Sequence, residues 1–365
     1  MDDFTLGVEE EYQVVDPATR ELRSDAQRVL ARAAKQVGDQ VTGEFYLSQV
    51  EIGTPVCQTL AEVRREVIRL RRAAAGAAAA EGCLIGAAGT HPFSHWAEQE
   101  LTPKTRYGTI VDQYQQLARE EVIFGNHVHV GIGSREAAIQ IMNRARLWLA
   151  PILALAANSP FWLGIDSGYA SFGREMWRRW PMAGVPPVFS SRADYEEFIQ
   201  LLMETRTIAE PTKLYWDIRP SERFETLEFR VTDVCLSVDE AVLVAGLTRA
   251  LARTCHLQAQ REEPIPRVRT ELVVAANWRA ARYGIDAELL DIEAAGSVPA
   301  KTLIERFVSV VRPALDEQGD WEEVSSLLSA TLARGNGANR QRKAFARRQN
   351  LEDVVDLLIR ETSAA

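Results

Sequence analysis

Apolar and polar positions alternate in four short stretches of this chain, and most of the sequence between them has helical spacing. The first, Gly7-Val8-Glu9-Glu10-Glu11-Tyr12-Gln13-Val14-Val15, predicts a strand stopped by the turn signal Asp16-Pro17. Side chains alternate across a strand, so Glu9, Glu11 and Gln13 share one face while Val8, Glu10, Tyr12 and Val14 take the other. Residues 45–52 repeat the pattern with Gln49 and Glu51, and residues 122–132 repeat it with His127 and His129. Leu227-Glu228-Phe229-Arg230-Val231 is the fourth, predicted to form a hairpin with residues 214–219 through Pro220-Ser221-Glu222-Arg223. Four such strands predict one sheet with an apolar face toward a core and a polar face toward a site.

Helical periodicity predicts helices over residues 24–37, 59–81, 104–120, 137–156 with a kink at Pro151, 195–205, 238–259, 267–283, 300–315, 321–333 and 351–361. Residues 84–89 read as a short buried strand. On the second helix Arg64, Arg65, Arg69, Arg71 and Arg72 are expected on the solvated face. Residues 158–191 lack periodicity but are rich in Gly, Pro and aromatics, which predicts an ordered loop covering the site. Strands scattered between helix pairs, with hairpin returns instead of βαβ repeats, predict an α+β fold with an antiparallel or mixed sheet. The 365 residues are read as a single catalytic domain spanning residues 1–365.

Composition narrows the function. A formal net charge of −9 argues against non-specific nucleic-acid binding. The four cysteines, Cys57, Cys83, Cys235 and Cys255, have no CxxC spacing and suggest neither a zinc site nor a disulfide framework. The acidic start has no apolar signal segment and the alanine run near residue 75 is interrupted by Gly76 and Glu81, so no membrane association is expected and the cytoplasm is the expected compartment. No GxGxxG or GxxxxGK[ST] stands at a strand-to-helix junction.

The chemistry lies on the polar strand face. Two carboxylates about 4 Å apart at an effective dielectric of about 20 repel by on the order of 4 kcal/mol, a cost that intervening cations remove. Glu9, Glu11, Glu51 and Glu228 are candidate oxygen ligands and His127 the candidate nitrogen ligand, a set suited to Mg²⁺ or Mn²⁺. His129 and Gln49 are candidate substrate contacts. Arg230 shares a face with Glu228 and either pairs with it or grips a phosphate or carboxylate. The turn Gly335-Asn336-Gly337 opens a basic helix on which Arg340 and Arg342 could meet an anion or simply mark a helix start. Carboxylate-held metals with arginines around them suit phosphoryl transfer, with Glu228 and Arg230 as its catalytic pair. The same residues would also serve a two-metal amidohydrolase working without nucleotide, or a protein that binds nucleotide or amino acid without turnover.

Taken together, several motifs resemble the type 2 glutamate–cysteine ligase family, the bacterial carboxylate–amine ligases. They are Gly7-Val8-Glu9-Glu10-Glu11-Tyr12, Gln49-Val50-Glu51-Ile52-Gly53-Thr54-Pro55, His127-Val128-His129-Val130-Gly131-Ile132 and Thr226-Leu227-Glu228-Phe229-Arg230-Val231-Thr232-Asp233. Ser167-Gly168-Tyr169-Ala170-Ser171, Arg179-Trp180-Pro181, residues 277–284 and the turn at Gly335 extend the likeness over nearly the whole chain. The resemblance implies a glutamine-synthetase-like fold, a curved antiparallel sheet forming an active-site funnel with helices packed outside. It also implies ATP and Mg²⁺ as cofactors. A small carboxylate, glutamate in the family's named reaction, would become an acyl phosphate, and an amine, that of cysteine, would displace the phosphate to give an amide. By motif position Glu9, Glu11, Glu51, His127 and Glu228 would hold metal, and Arg230, with Arg340, would contact phosphate. Gly173 stands where family members often carry arginine, with Arg174 one position along, and Asn126 stands where a small or sulfur-bearing residue is common. Apolar late helices suggest a homo-oligomer, a dimer being favoured.

Overall fold

The computed structural model describes residues 4–364. Seven strands form the main sheet: β1 (Leu6–Val15), β2 (Val41–Gly43), β3 (Gln49–Gly53), β4 (Leu84–Gly86), β5 (Gly125–Gly131), β6 (Ile218–Pro220) and β7 (Thr226–Asp233). Their order is β6-β7-β5-β1-β3-β2, with β4 pairing the far end of β1, and every pair is antiparallel. Register is what assembles the polar face. Glu11 lies opposite Glu51, Glu9 opposite His127, and Glu228 opposite both His129 and Arg219. A one-residue slip would turn every one of these side chains to the other face. β7 is bulged against β5 between Phe229 and Thr232, while on its other side the Arg230 N–H extends the β6 pairing to the carbonyl of Asp217, 2.8 Å away.

The opposite face of the sheet packs into two apolar clusters. Val8, Val128, Val130, Leu227 and Phe229 join helices Arg135–Ala145, Val238–Gln260 and Ala300–Gln318, while Tyr12, Val14, Val50 and Ile52 meet helices Ala26–Val37 and Leu60–Ala80. The helix Val238–Gln260 runs through the interior, started by a capping box between Ser237 and Glu240. The apolar stripe of the late helix Ala300–Gln318 (Leu303, Ile304, Phe307, Val311, Leu315) is buried in this core. Its hydrophobicity is accounted for within one chain. Among the described residues no helix is long and apolar enough to cross a membrane.

Several elements differ from expectation. The helix expected over residues 104–120 breaks at Gln115, whose φ is +49°, into Thr105–Tyr114 and Gln116–Arg119. The helix expected over 137–156 is interrupted by a 3₁₀ turn at Arg146–Trp148, ahead of Pro151. Pro151 then sits in the first turn of Leu149–Ala156, where a missing N–H costs nothing. Residues 158–191 hold a two-stranded hairpin, Phe161–Trp162 with Ile165–Asp166, and the short helix Phe172–Trp177.

Arg71 is the clearest correction. It is not on a solvated face but fully buried, paired with Glu10 on the core side of β1. Its Nε donates to Glu10 at 2.9 Å, and Nη1 and Nη2 donate to the carbonyls of Leu236 and Cys235 at 3.2 and 2.8 Å. Periodicity placed Arg71 beside Leu70 at the edge of the stripe. Only the position of β1 supplies the buried carboxylate that draws it inward.

Candidate active site

The polar sheet face forms the floor of a cavity of about 520 Å³ that contains Glu9, Glu11, Gln49, Glu51, His127, His129, Glu228 and Arg230 on its lining. Its walls come from residues 42–45, 104–110 and 121–125, from the segment around Trp177, and from the β6–β7 turn. Glu9 is central: His127 Nδ1 is 3.1 Å from its Oε2 and His129 Nε2 is 3.4 Å from its Oε1. His129 Nδ1 is within 2.8 Å of Thr226 Oγ1, which leaves its Nε2 buried without a hydrogen bond. Glu9, His129 and Glu228 each present a ligand atom, all within 4.8 Å of one another. Glu228 in turn accepts from Arg219 Nε at 2.8 Å and pairs with Arg230, whose guanidinium lies 5.3 Å from the centre of the Trp177 ring.

The two ends of the cavity differ in charge. Burial would raise the Glu228 carboxyl, but Arg230 and then Arg219 hold it well below the usual carboxylate range. Burial also opposes ionisation of Glu9, and the hydrogen bond to His127 together with the nearby His129 imidazole reverses that and keeps it low. His129 is raised because Glu9 and Glu228 outweigh its burial, whereas burial and the charge of Arg230 lower His127. At the other end burial, then the neighbouring Glu44 carboxylate, push Glu11 up to about 8 and Glu51 well above its ordinary value. Glu11 accepts one N–H, from Gly125 at 2.8 Å, and Glu51 one hydroxyl, from Thr42 at 3.2 Å.

These raised carboxyls set a pH dependence. Between the ordinary value of 4.5 and about 8, folded Glu11 keeps a proton that the unfolded chain has lost. Stability of the metal-free protein therefore falls as pH rises through that window. Thermal melts at about pH 5.5 and about pH 8.5 are expected to give the lower Tm at the higher pH, with Mg²⁺ restoring more there, because a divalent ion replaces the proton. A metal-free Tm that rose across this window would contradict the arrangement.

Comparison with known proteins matches residues 5–359 to the family described as glutamate–cysteine ligase family 2 (GCS2). A curated relative from Frankia alni, provisionally named glutamate–cysteine ligase 2-2, is 44% identical over 98% of this chain and 97% of its own. Another from Roseiflexus castenholzii, provisionally named glutamate–cysteine ligase 2, is also 44% identical, over 98% and 94%. The chain belongs to glutamate–cysteine ligase family 2. Family membership makes it an ATP-dependent carboxylate–amine ligase. Among solved structures, the glutamate–cysteine ligase of Francisella tularensis in complex with AMP shares the fold with a TM-score of 0.72, covering 99% of this chain and 89% of that one at 11% identity. The ligase PafA in complex with the ubiquitin-like protein Pup gives 0.52 over 97% and 66%, at 14% identity. The glutamine-synthetase-like architecture expected from sequence is therefore the architecture found.

In this family member the sheet brings Glu9, Glu11, Glu51, His127, His129, Glu228 and Arg230 together on one face. Gln49 reaches the same lining, but both ends of its carboxamide are held by backbone, Oε1 by the Tyr46 N–H at 2.8 Å and Nε2 by the Ile123 carbonyl at 2.8 Å. Arg340 and Arg342 are not on the cavity lining. Arg340 pairs with Glu361 and lies 3.7 Å from Glu240, and Arg342 holds Asp166 at 2.8 and 2.7 Å. Asn336 caps that helix through Asn339, so the turn is a helix start.

Among the lining residues that escaped sequence reasoning are Glu44, Glu121 and Arg219. Arg219 carried a usable signal, since it alternates with Asp217 in the strand that hairpins onto Glu228. Arg174 pairs with the buried Asp217 at 2.7 Å, and Asn277 donates to the same carboxylate oxygen at 3.2 Å. Gly173 itself leaves no room for a side chain. A Cβ there would stand 3.0 Å from both Asp233 Oδ1 and the Gly89 carbonyl, and Asp233 is fixed by the Asn158 N–H and Ser159 hydroxyl at 2.7 and 2.8 Å. Gly173→Ala is expected to destabilise by about 1–3 kcal/mol in urea unfolding, because neither neighbour can retreat. An unchanged midpoint would mean that the turn is looser than its hydrogen bonds imply.

Proposed function

We propose that this cavity joins the γ-carboxyl of glutamate to the amine of cysteine, using ATP through an acyl phosphate, with Mg²⁺ as the ion and Mn²⁺ able to replace it. The observation that carries the reading is the cluster of Glu9, His129 and Glu228 beside Arg219 and Arg230 on one sheet face. The residues suit a hard divalent ion: an orphaned imidazole nitrogen and carboxylate oxygens stand within 4.8 Å, and half-buried Glu11 and Glu51 have no ion pair with a cationic side chain among the described residues. Glu9, His129 and Glu228 would hold the ion, with His127, Glu11 and Glu51 beside them. A bound ion would supply charge neutralisation between the strand carboxylates and phosphate oxygens.

The chain's own groups do the rest. Arg230, stacked over Trp177 and with its buried Nε unpartnered, is positioned to donate to an anionic oxygen. Arg219 is fixed by the carbonyl of Thr212 at 2.9 Å and backs the same charge. Glu228 holds both guanidiniums in place, so the geometry exists before substrate arrives. Positioning and electrostatics suffice for this chemistry, and no protein nucleophile is required. One catalytic domain is supported by helices from both ends of the chain packing behind the same sheet. Four buried, unpaired cysteines support the cytoplasm as compartment.

The test is ADP release over a panel of carboxylates and amines with Mg²⁺ or Mn²⁺. The reading expects release to require acid, amine and metal together, with glutamate and cysteine the best pair. Amide cleavage without nucleotide would instead identify a hydrolase, and nucleotide binding without turnover across the panel a binding protein.

A further inference from the structure

On the lining of the same cavity, Glu121 is a buried carboxylate that nothing above uses. It lies on the cavity lining, is 6% exposed, and neither of its oxygens makes a hydrogen bond. The indole N–H of Trp180 faces it without completing one. The cation whose charge reaches it, Arg179, donates its Nη1 to Glu120 at 2.5 Å. Burial pushes the carboxyl up to about 8. The surroundings are aromatic: Trp180 packs on Tyr215 at 5.2 Å and on Trp177 at 6.2 Å between ring centres, and all three line the cavity.

A buried carboxylate without a partner is costly, and a cation brought by a ligand removes that cost. An ammonium is attracted by the carboxylate and tolerated among aromatic rings, whereas phosphate would be repelled by it. We propose that Glu121 receives the ammonium group of an amino-acid substrate in this cavity, an assignment that rests on the ligase reading. Its chemistry is that of a primary ammonium. Two substrates could bring one: the acid, through its α-ammonium, or the incoming amine before it loses its proton.

Hydroxylamine separates the two sources. It is largely uncharged near neutral pH, so it needs no ammonium anchor, and it displaces phosphate from an acyl phosphate to give a hydroxamate. With the full-length protein, ATP, Mg²⁺ and glutamate, hydroxamate formation reads the KM for the acid, and ADP release with cysteine reads the KM for the amine. Glu121→Gln keeps the shape and removes the charge, and is expected to raise one of these constants by about 10- to 100-fold. A shift in the glutamate constant with hydroxylamine assigns the group to the acid, and a shift confined to cysteine assigns it to the amine. Glu121→Asp, which keeps the charge, is expected to fall between parent and Gln variant, and Glu120→Gln, off the cavity lining, to move neither constant. Hydroxamate formation with both constants within about twofold of the parent in Glu121→Gln would overturn the Glu121 role alone. A parent protein that forms no hydroxamate would overturn the ligase reading and this role with it.

Discussion

Glu228→Gln is expected to lower ATP-dependent amide formation by about 10³-fold while the protein still folds. The carboxylate is shared by a candidate ion site and two guanidiniums, so one substitution removes a ligand and releases Arg219 and Arg230 together. Folding survives because each arginine keeps another partner: Arg219 the carbonyls of Thr212 and Leu214, Arg230 the ring of Trp177. The measurements are steady-state ADP release and near-ultraviolet circular dichroism on the same preparation. Turnover within about threefold of the parent would remove Glu228 from the site and with it the phosphoryl-transfer geometry.

The second large effect is on stability. Arg71→Met is expected to cost about 3–5 kcal/mol in urea unfolding, because it strands the Glu10 carboxylate in the core with only the Tyr12 hydroxyl, 2.5 Å away, as a partner. Glu10→Leu/Arg71→Met should recover much of that loss, since removing both charges avoids the unpaired state. Activity would follow stability in the single variant. Glu10 stands between Glu9 and Glu11 on β1, so a shift that relieves its charge displaces the site on the other face. A loss below about 1 kcal/mol would indicate water access to the pair.

The strands that carry the site were legible because their polar residues stand two apart in otherwise apolar runs, a pattern that only a two-faced sheet accommodates. The family likeness was legible for a related reason: the motifs lie on those strands, and the family comparison bears it out. Arg219 was missed although it sits in a recognised strand, because its partner Glu228 is known only once the hairpin register is fixed. Arg340 and Arg342 looked available for an anion because helix starts attract anions in general. In the fold their charges meet Glu361, Glu240 and Asp166.

Local pattern by itself determined the strand faces, most helices, the α+β class and the set of acids and imidazoles that share the polar sheet face. Neighbours distant in sequence decided the rest: that Arg71 turns inward, that His129 joins Glu9 and Glu228, that Gly173 must stay without a side chain, and that Glu121 lies buried without a counter-charge. The physical reason is range. Alternation and helical spacing act over a few residues of one strand or helix, whereas burial and charge pairing depend on which segments tertiary packing brings within a few ångströms.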